Sequence, residues 1–294
     1  KIIETSPNSL PDLFYATCGG MGLTGIILSA TIKLLPIKSS KIFQTEIKSK
    51  SLEETCSIFN EKENSTYSVA WLDCMASGRE QGKSIIILGE HEKSGTLNFD
   101  VKKKINIPVN VPSFILNKYF ITVFNKFFYA KTKNKSKKKI NLFNYFYPLD
   151  KINNWNRLYG KKGFIQYQFV IPSDNVVKNI RFILDKISEF GLSSFLSVLK
   201  KFGKQNNNLL SFPMSGYTLA LDFKLGRNLF ESINKLDEIV ADMGGKIYLT
   251  KDSLMSEKIF KKTYKRWEEF EIIREKYGAI NKFCSDQSKR LGLK

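Results

Sequence analysis

The sequence predicts an α+β fold in which one antiparallel sheet carries helices on one face. The order strand, helix, strand, strand occurs twice, in residues 43–89 and again in residues 164–224. Short apolar runs that alternate with amphipathic helical stretches are typical of a sheet covered by helices. Two such units can form a single antiparallel sheet and leave its other face free to cover a ligand.

The individual elements follow from periodicity and from helix-end signals. In the first unit we predict strands at 43–48, 67–73 and 84–89, with a helix that starts at Ser51 and has Glu54 three residues on, a capping-box pattern. In the second unit we predict strands at 164–171, 194–200 and 217–224 and a helix at 174–190. A further helix at 229–243 stops at Gly244-Gly245 and is followed by a strand at 246–250, and a helical tail spans 256–277.

A glycine-rich turn near the start of the chain is the first candidate binding element. Four of seven consecutive residues are glycine, and a β-branched run at 26–37 follows, which predicts a buried strand: Gly19, Gly20, Gly22 and Gly25. Glycine lets the backbone approach a ligand closely. Because a strand rather than a helix follows, the turn is not a dinucleotide fingerprint, and no Gly-Lys-Ser/Thr of a P-loop is present. A tight turn with close strand packing is the alternative interpretation.

This turn resembles an FAD-contacting segment of the vanillyl-alcohol-oxidase type flavoproteins, and four more segments narrow the resemblance. They lie at 155–160, 163–172, 248–253 and 285–291, and together they resemble the decaprenylphosphoryl-ribose 2-oxidase family. The resemblance implies that 1–40 is the end of a PCMH-type FAD-binding domain whose first half is missing. It also implies that 41–254 is a substrate (cap) domain, that 255–294 is a helical tail returning to the FAD domain, and that FAD is bound non-covalently.

The resemblance also assigns site residues. The family's active-site residues match Lys251, Gln166 and Gln168, and strand alternation places the two glutamines on one face. The other assignments are Lys200, Tyr147, Thr218 and Ala220 for substrate, and Gly19, Gly20, Gly22, Gly25, Ile26, Ile27 and Tyr248 for cofactor. Mycobacterial-type relatives carry Asn and Cys where this chain has Thr218 and Ala220. From pattern alone, the glutamines could face solvent and Lys251 could pair with Asp252.

A basic and aromatic insertion occupies residues 100–147. It carries eleven lysines, and no acid lies between Asp100 and Asp150, within a chain of formal net charge +19. One interpretation is a solvated, disordered loop, and another is an interfacial element on an anionic lipid surface. Nucleic-acid binding is a weaker interpretation, because the aromatic residues form a hydrophobic face rather than separate stacking platforms.

The resemblance implies an FAD-dependent oxidoreductase that oxidises the 2-hydroxyl of a polyprenyl-phosphate-linked ribose to a keto sugar. A short-chain NAD(P)-dependent reductase partner would complete an epimerisation to arabinose. Alternatives are a soluble sugar or aldonolactone FAD oxidase and a non-enzymatic basic fragment that binds membrane or nucleic acid. Four scattered cysteines and one histidine favour a cytoplasmic protein without a metal site, and no apolar run is long enough to span a bilayer. The basic and aromatic insertion would make the protein peripheral on the inner face of the membrane.

Overall fold

The computed structural model of the protein describes residues 1–99, 105–112 and 115–294, so parts of the predicted insertion, 100–104 and 113–114, lie outside the described residues. A short helix, α1 (Pro11–Thr17), leads into the glycine turn. The first unit then follows as β1 (Lys41–Ser49), α2 (Leu52–Glu61), β2 (Tyr67–Leu72) and β3 (Ser84–His91). The insertion contributes β4 (Ile105–Asn106), α3 (Lys118–Lys131), β5 (Ser136–Asn141) and α4 (Leu142–Phe146).

The second unit repeats the order of the first. After β6 (Ile152–Asn153), it consists of β7 (Phe164–Pro172), α5 (Val176–Glu189), β8 (Ser194–Phe202) and β9 (Gly216–Lys224). It continues into α6 (Leu229–Asp242) and β10 (Lys246–Ile247). The tail contains α7 (Glu257–Thr263), α8 (Trp267–Lys276) and α9 (Asp286–Arg290).

Both units join in one antiparallel sheet, as predicted. The strand order is β10-β7-β9-β8-β2-β3-β1-β5, and every pairing in it is antiparallel. The units meet where β8 pairs with β2, and each runs outward from there in the same order. In each unit the last of its three strands lies in the middle. The repeated sequence plan therefore corresponds to a structural repeat.

The helices α2, α5 and α6 cover one face of this sheet. Side chains of that face belong to the main hydrophobic core, for example Ile86, Phe169 and Leu219. The predicted helix start at Ser51 is confirmed, since its hydroxyl accepts a hydrogen bond from the Glu54 N–H. The capping pattern differs in one detail: the Glu54 carboxylate accepts from the N–H of Lys50 rather than from that of Ser51.

The prediction of a buried strand at 26–37 is wrong. No strand is present there, and the segment makes no backbone hydrogen bond to any residue that the structure describes. Its large apolar side chains are exposed: Ile26, Ile27, Leu28, Ile32, Leu34 and Leu35. The apolar pattern is that of a strand, but a strand forms only where a neighbour supplies the pairing groups. Residues 26–35 are thus an apolar surface that the described chain leaves uncovered.

Two further predictions need correction. The strand predicted at 246–250 is shorter, because only Lys246 and Ile247 pair with β7 and residues 248–251 turn away. The single tail helix predicted at 256–277 is divided, since α7 ends at Thr263 and α8 begins at Trp267.

The insertion does not form a disordered loop in its described part, and it covers half of the face opposite the helices. The Asn125 amide of α3 donates to the Asp73 carboxylate at 2.7 Å, and the Phe128 ring packs on Trp71. At the other end of the same strands, the Tyr145 ring fills the space over Gly89 that a Cβ would occupy. The ligand face that we predicted to be open is therefore limited to the second unit.

A buried carboxyl group on the inner side of α6, that of Asp237, makes the stability of the protein depend on pH. Asp237 accepts a hydrogen bond from the Tyr167 hydroxyl at 2.9 Å, and burial raises its pKa from 3.8 to about 7. Between about pH 4 and pH 7 the unfolded chain has released this proton and the folded chain retains it, so stability falls as the pH rises through this window. Asp237→Asn should abolish that fall and stabilise the protein at pH 8 by about 1–3 kcal/mol. Urea unfolding of both proteins at pH 5 and pH 8 measures the free energy of unfolding. If it falls between these pH values as much in Asp237→Asn as in wild type, Asp237 is not the group responsible.

Candidate active site

The open half of the face carries a polar cluster at the centre of the second unit. Residues directly opposite each other on antiparallel strands point to the same side. One row across β7, β9 and β8 contains Gln168, Ala220 and Val198, and the next contains Val170, Thr218 and Lys200. A third row pairs Gln166 with Asp222. Five of the predicted site residues therefore share this face: Gln166, Gln168, Lys200, Thr218 and Ala220.

Each glutamine is held by a specific partner. The Gln166 side-chain N–H donates to the Asp222 carboxylate at 2.9 Å, and that of Gln168 donates to the Thr218 hydroxyl at 3.1 Å. The Thr218 hydroxyl in turn donates to the Phe169 carbonyl at 2.8 Å. The alternative that the glutamines are free solvent-facing groups does not fit these contacts. Their face is a hydrogen-bonded network with half-buried amides.

Asp222 is the buried acid of this network, and it was not among the predicted site residues. Its other carboxylate oxygen accepts from the Tyr159 hydroxyl at 3.0 Å. Burial raises the pKa of Asp222, while Gln166, Tyr159 and the charge of Lys251 partly oppose the rise. An acid two residues beyond Ala220 in an otherwise apolar strand was the available signal. Because residues two apart on a strand point to the same side, Asp222 lies on the open face with Ala220.

Lys251 belongs to the same neighbourhood but lies in a turn. Its N–H donates to the Tyr248 carbonyl, and its exposed side chain forms no ion pair with any residue that the structure describes. The suggested pairing with Asp252 is absent. The Asp252 carboxylate instead accepts from Arg290 at 2.8 Å and from the N–H of Met255. The ammonium of Lys251 thus remains available beside the Asp222 network.

The C-terminal segment braces this turn. The Gln287 side chain donates to the Leu249 carbonyl at 2.7 Å, and Arg290 donates to Asp252. Ser285 caps α9 through a reciprocal hydrogen-bond pair with Ser288, which sets the direction of that helix. Gln287 and Arg290 were not predicted as individual site residues. They are positioning contacts for the Lys251 turn.

The segments that carry the resemblance are therefore in mutual contact. Segment 155–160 reaches the site through Tyr159, which stacks on Phe164 and bonds Asp222. Segment 163–172 is β7, and the N–H of Tyr248 in segment 248–253 donates to the Gln168 carbonyl at 2.8 Å. Segment 285–291 holds that turn. Stretches far apart in sequence thus build one site.

The glycine turn has the backbone geometry of a binding loop at three of its four glycines. Gly19, Gly22 and Gly25 have positive φ angles, and no described atom lies within 4 Å of where a Cβ would be. Gly20 differs: it is buried, and a Cβ there would lie 2.1 Å from the Ala16 carbonyl oxygen. Gly20 therefore serves close packing against α1, while the other three leave backbone open to a ligand.

The turn is tied to the site by packing. The N–H of Leu209 donates to the Tyr15 carbonyl in α1, and from there the chain leads to Phe212, whose ring stacks on Tyr248 at 4.5 Å. On its other side the turn is held by α8, where Arg274 donates to the Leu23 carbonyl. Tyr248 therefore joins β7 to segment 209–212, which is bonded to α1 just before the glycine turn. Tyr147, in contrast, is exposed, packs at a tilted angle on Phe143 beside β5, and is not brought to the cluster.

Comparison with known proteins finds similar sequences that extend over nearly the whole chain. The chain is 35% identical, over 96% of its length, to decaprenylphosphoryl-beta-D-ribose oxidase of Mycolicibacterium smegmatis. The chain is therefore similar to decaprenylphosphoryl-ribose oxidase over nearly all of its own length. It spans 64% of the length of that oxidase. It is also 22% identical, over 96% of its length, to an uncharacterized protein in the mprA 5′ region of Streptomyces coelicolor, of which it covers 81%. No family model matches the chain.

The similarity to decaprenylphosphoryl-ribose oxidase confirms the predicted resemblance. The domain boundaries at 40 and 254 and the individual roles of the site residues stay predictions. None of the helices in the described ranges is long and apolar enough to cross a bilayer.

Proposed function

We propose that the protein containing this chain is an FAD-dependent oxidase that converts the 2-hydroxyl of a polyprenyl-phosphate-linked ribose to a ketone. The observation that supports it most is the polar row of Gln166, Gln168 and Thr218 on the open face, with the Lys251 ammonium beside it. The substrate class comes from the relative's name, and the chain adds a polar surface suited to a sugar.

The residues present fit a flavin. Open backbone at Gly19, Gly22 and Gly25, continuing to Ile26 and Ile27, would hold it, with Tyr248 at the junction to the sheet. When bound, FAD supplies the acceptor for the hydride that leaves the sugar carbon. The exposed apolar segment 26–35 would pack against the flavin-binding part of the protein.

The side chains of this site would bind and orient the sugar. In the oxidation, the carbon would lose a hydride to the flavin and its hydroxyl would lose a proton to a base, so that a C=O bond forms. Lys251 provides a fixed positive charge that stabilises developing negative charge, and Gln166 and Gln168 orient the sugar. Lys200, one row from Gln168, is suited to the anionic phosphate of the substrate. Ala220 carries no thiol, so inhibitors that trap a cysteine at this position would not react.

Anaerobic bleaching of the flavin tests this function. The complete gene product is purified with its flavin and mixed without oxygen with polyprenylphosphoryl ribose or with free ribose. We expect the yellow chromophore to bleach with the lipid-linked sugar, and the product to be a ketone. Equal bleaching by free sugars or an aldonolactone would instead support a soluble sugar oxidase. A protein that binds no flavin would support the non-enzymatic alternative.

We further propose that α3 docks on an anionic membrane, where a lipid-linked substrate resides. This helix buries Ile121 and Asn125 against the sheet, but its outer face presents Tyr119, Val123 and Phe127, four residues apart, to solvent. Exposed lysines at 118, 126 and 131 flank this row. Aromatic residues among lysines fit the interface of an anionic bilayer. A keto product released at this surface would be reduced by a short-chain NAD(P)-dependent partner, and the docked side would be cytoplasmic.

Vesicle binding tests the α3 surface. Combining Tyr119→Ser with Phe127→Ser should weaken binding to phosphatidylglycerol vesicles about 10- to 100-fold, because two exposed rings no longer enter the interface. Added salt should weaken wild-type binding. The control is Phe230→Ser, which removes another exposed ring, on the helix-covered side, and should leave vesicle binding unchanged. Unchanged binding after neutralisation of the lysines at 131–139 would refute the proposal.

A further inference from the structure

The hydrogen bonds around β7 determine which end of each glutamine amide faces its partner. A backbone carbonyl only accepts, so the Thr218 hydroxyl must donate to Phe169 and must accept from the Gln168 side chain. An ionised carboxylate also only accepts, so Asp222 takes the N–H of Gln166. In both cases the nitrogen end of the amide is committed to the protein.

Both amide oxygens are consequently left for a ligand. Within the described ranges, neither Oε1 of Gln166 nor Oε1 of Gln168 accepts a hydrogen bond. The two residues lie two apart on one strand, so their acceptors line the same face about 7 Å apart at the backbone. Two neutral acceptors in a row recognise O–H donors, and sugar hydroxyls are such donors.

Asp222 and Tyr159 keep this arrangement at Gln166. Asp222 is 1% exposed and Tyr159 is 2% exposed, and the Tyr159 hydroxyl occupies the second carboxylate oxygen. Stacking of Tyr159 on Phe164 at 4.2 Å fixes the ring that donates. The carboxylate therefore has one oxygen for the tyrosine and one for the amide, which prevents the Gln166 amide from turning round.

We propose that Asp222 is a positioning residue that points the Gln166 carbonyl oxygen at a ring hydroxyl of the sugar, so that the site selects hydroxyl-bearing over deoxy sugars. This inference rests on the proposed function. Asp222 acts through Gln166 and need not touch the sugar. Its effect is on selectivity, because an amide free to turn can offer either a donor or an acceptor.

Calorimetric binding of lipid-linked sugars tests this, with the flavin of the complete gene product reduced beforehand so that no sugar is oxidised during the measurement. The probes are polyprenylphosphoryl ribose and its 2-deoxy and 3-deoxy counterparts. We expect wild type to bind polyprenylphosphoryl ribose at least about tenfold more tightly than one deoxy probe, since loss of the hydroxyl leaves an amide oxygen without a donor in the complex. Asp222→Asn should reduce that ratio several-fold, because asparagine can present either its oxygen or its N–H to Gln166. Gln166→Ala should do the same if Asp222→Asn fails to fold.

The matched control is Asp237→Asn. Asp237 is also a buried carboxylate bonded to a tyrosine hydroxyl, but it lies on the helix-covered face. The Asp237→Asn variant should keep the wild-type ratio of affinities for the ribose and deoxy probes. If Asp222→Asn and Gln166→Ala bind polyprenylphosphoryl ribose with the same preference over the deoxy probes as wild type does, this inference alone is overturned. Failure of wild type to bind ribose at all would overturn the proposed function and this inference together.

Discussion

Arg274→Met should lower the free energy of unfolding by about 3–5 kcal/mol, the largest stability effect that we expect from one substitution. Arg274 is fully buried. Its guanidinium donates to the Leu23 carbonyl and to the Phe283 carbonyl, both at 2.9 Å, and pairs with Glu271. Methionine retains much of the apolar volume but leaves the carbonyls and a largely buried carboxylate without donors. Removing one partner of a buried pair has a cost of this size.

The measurement is urea unfolding followed by circular dichroism. Lys276→Met is the matched control, because Lys276 is on the same helix and pairs with Asp12, but it is exposed. An exposed pair contributes less than about 1 kcal/mol. Arg274→Met should also speed hydrogen exchange at Leu23, whose N–H donates to the Gly20 carbonyl, since Arg274 anchors the glycine turn. Equal midpoints for the two variants would show that Arg274 does not hold the turn.

Lys251→Met should slow flavin bleaching by polyprenylphosphoryl ribose about 100- to 1000-fold while leaving flavin content unchanged. A fixed charge that stabilises developing negative charge contributes a few kcal/mol to the barrier. Lys251 has the position for this role, because its turn is braced by Gln287 and Asp252, and its charge reaches Asp222.

Rapid mixing without oxygen measures the bleaching rate. Lys258→Met, an exposed lysine in α7, is the control and should bleach like wild type. Lys200→Met should mainly raise the substrate concentration that gives the half-maximal bleaching rate, because we propose that Lys200 binds the phosphate of the substrate. A Lys251→Met protein that bleaches at the wild-type rate would remove Lys251 from the chemistry.

Local signals predicted much of this fold. The β7 alternation placed both glutamines on one face, and Ser51 and Gly244 marked helix ends through capping and a positive φ angle. These features are set by neighbours in sequence. The antiparallel sheet also followed, since two short repeated units have few ways to cover their apolar faces.

Tertiary contacts explain what the sequence did not predict. The run at 26–37 has a strand's composition but no strand beside it in the described chain, and β10 ends where Tyr248 turns to stack on Phe212. The packing of α3 over Trp71 depends on contacts across the fold. Asp222 was overlooked because its role appears only when Tyr159, over 60 residues earlier, lies against it.

The most direct test is a crystal structure of the complete gene product with its flavin bound. The central claim is that the open face of β7 and β9 and the glycine turn enclose one flavin site. The account predicts that the flavin ring contacts the backbone at 19–27 and faces Gln168 and Lys251. A ring bound against the helix-covered face, or one that touches the turn but lies away from Gln168 and Lys251, would contradict it.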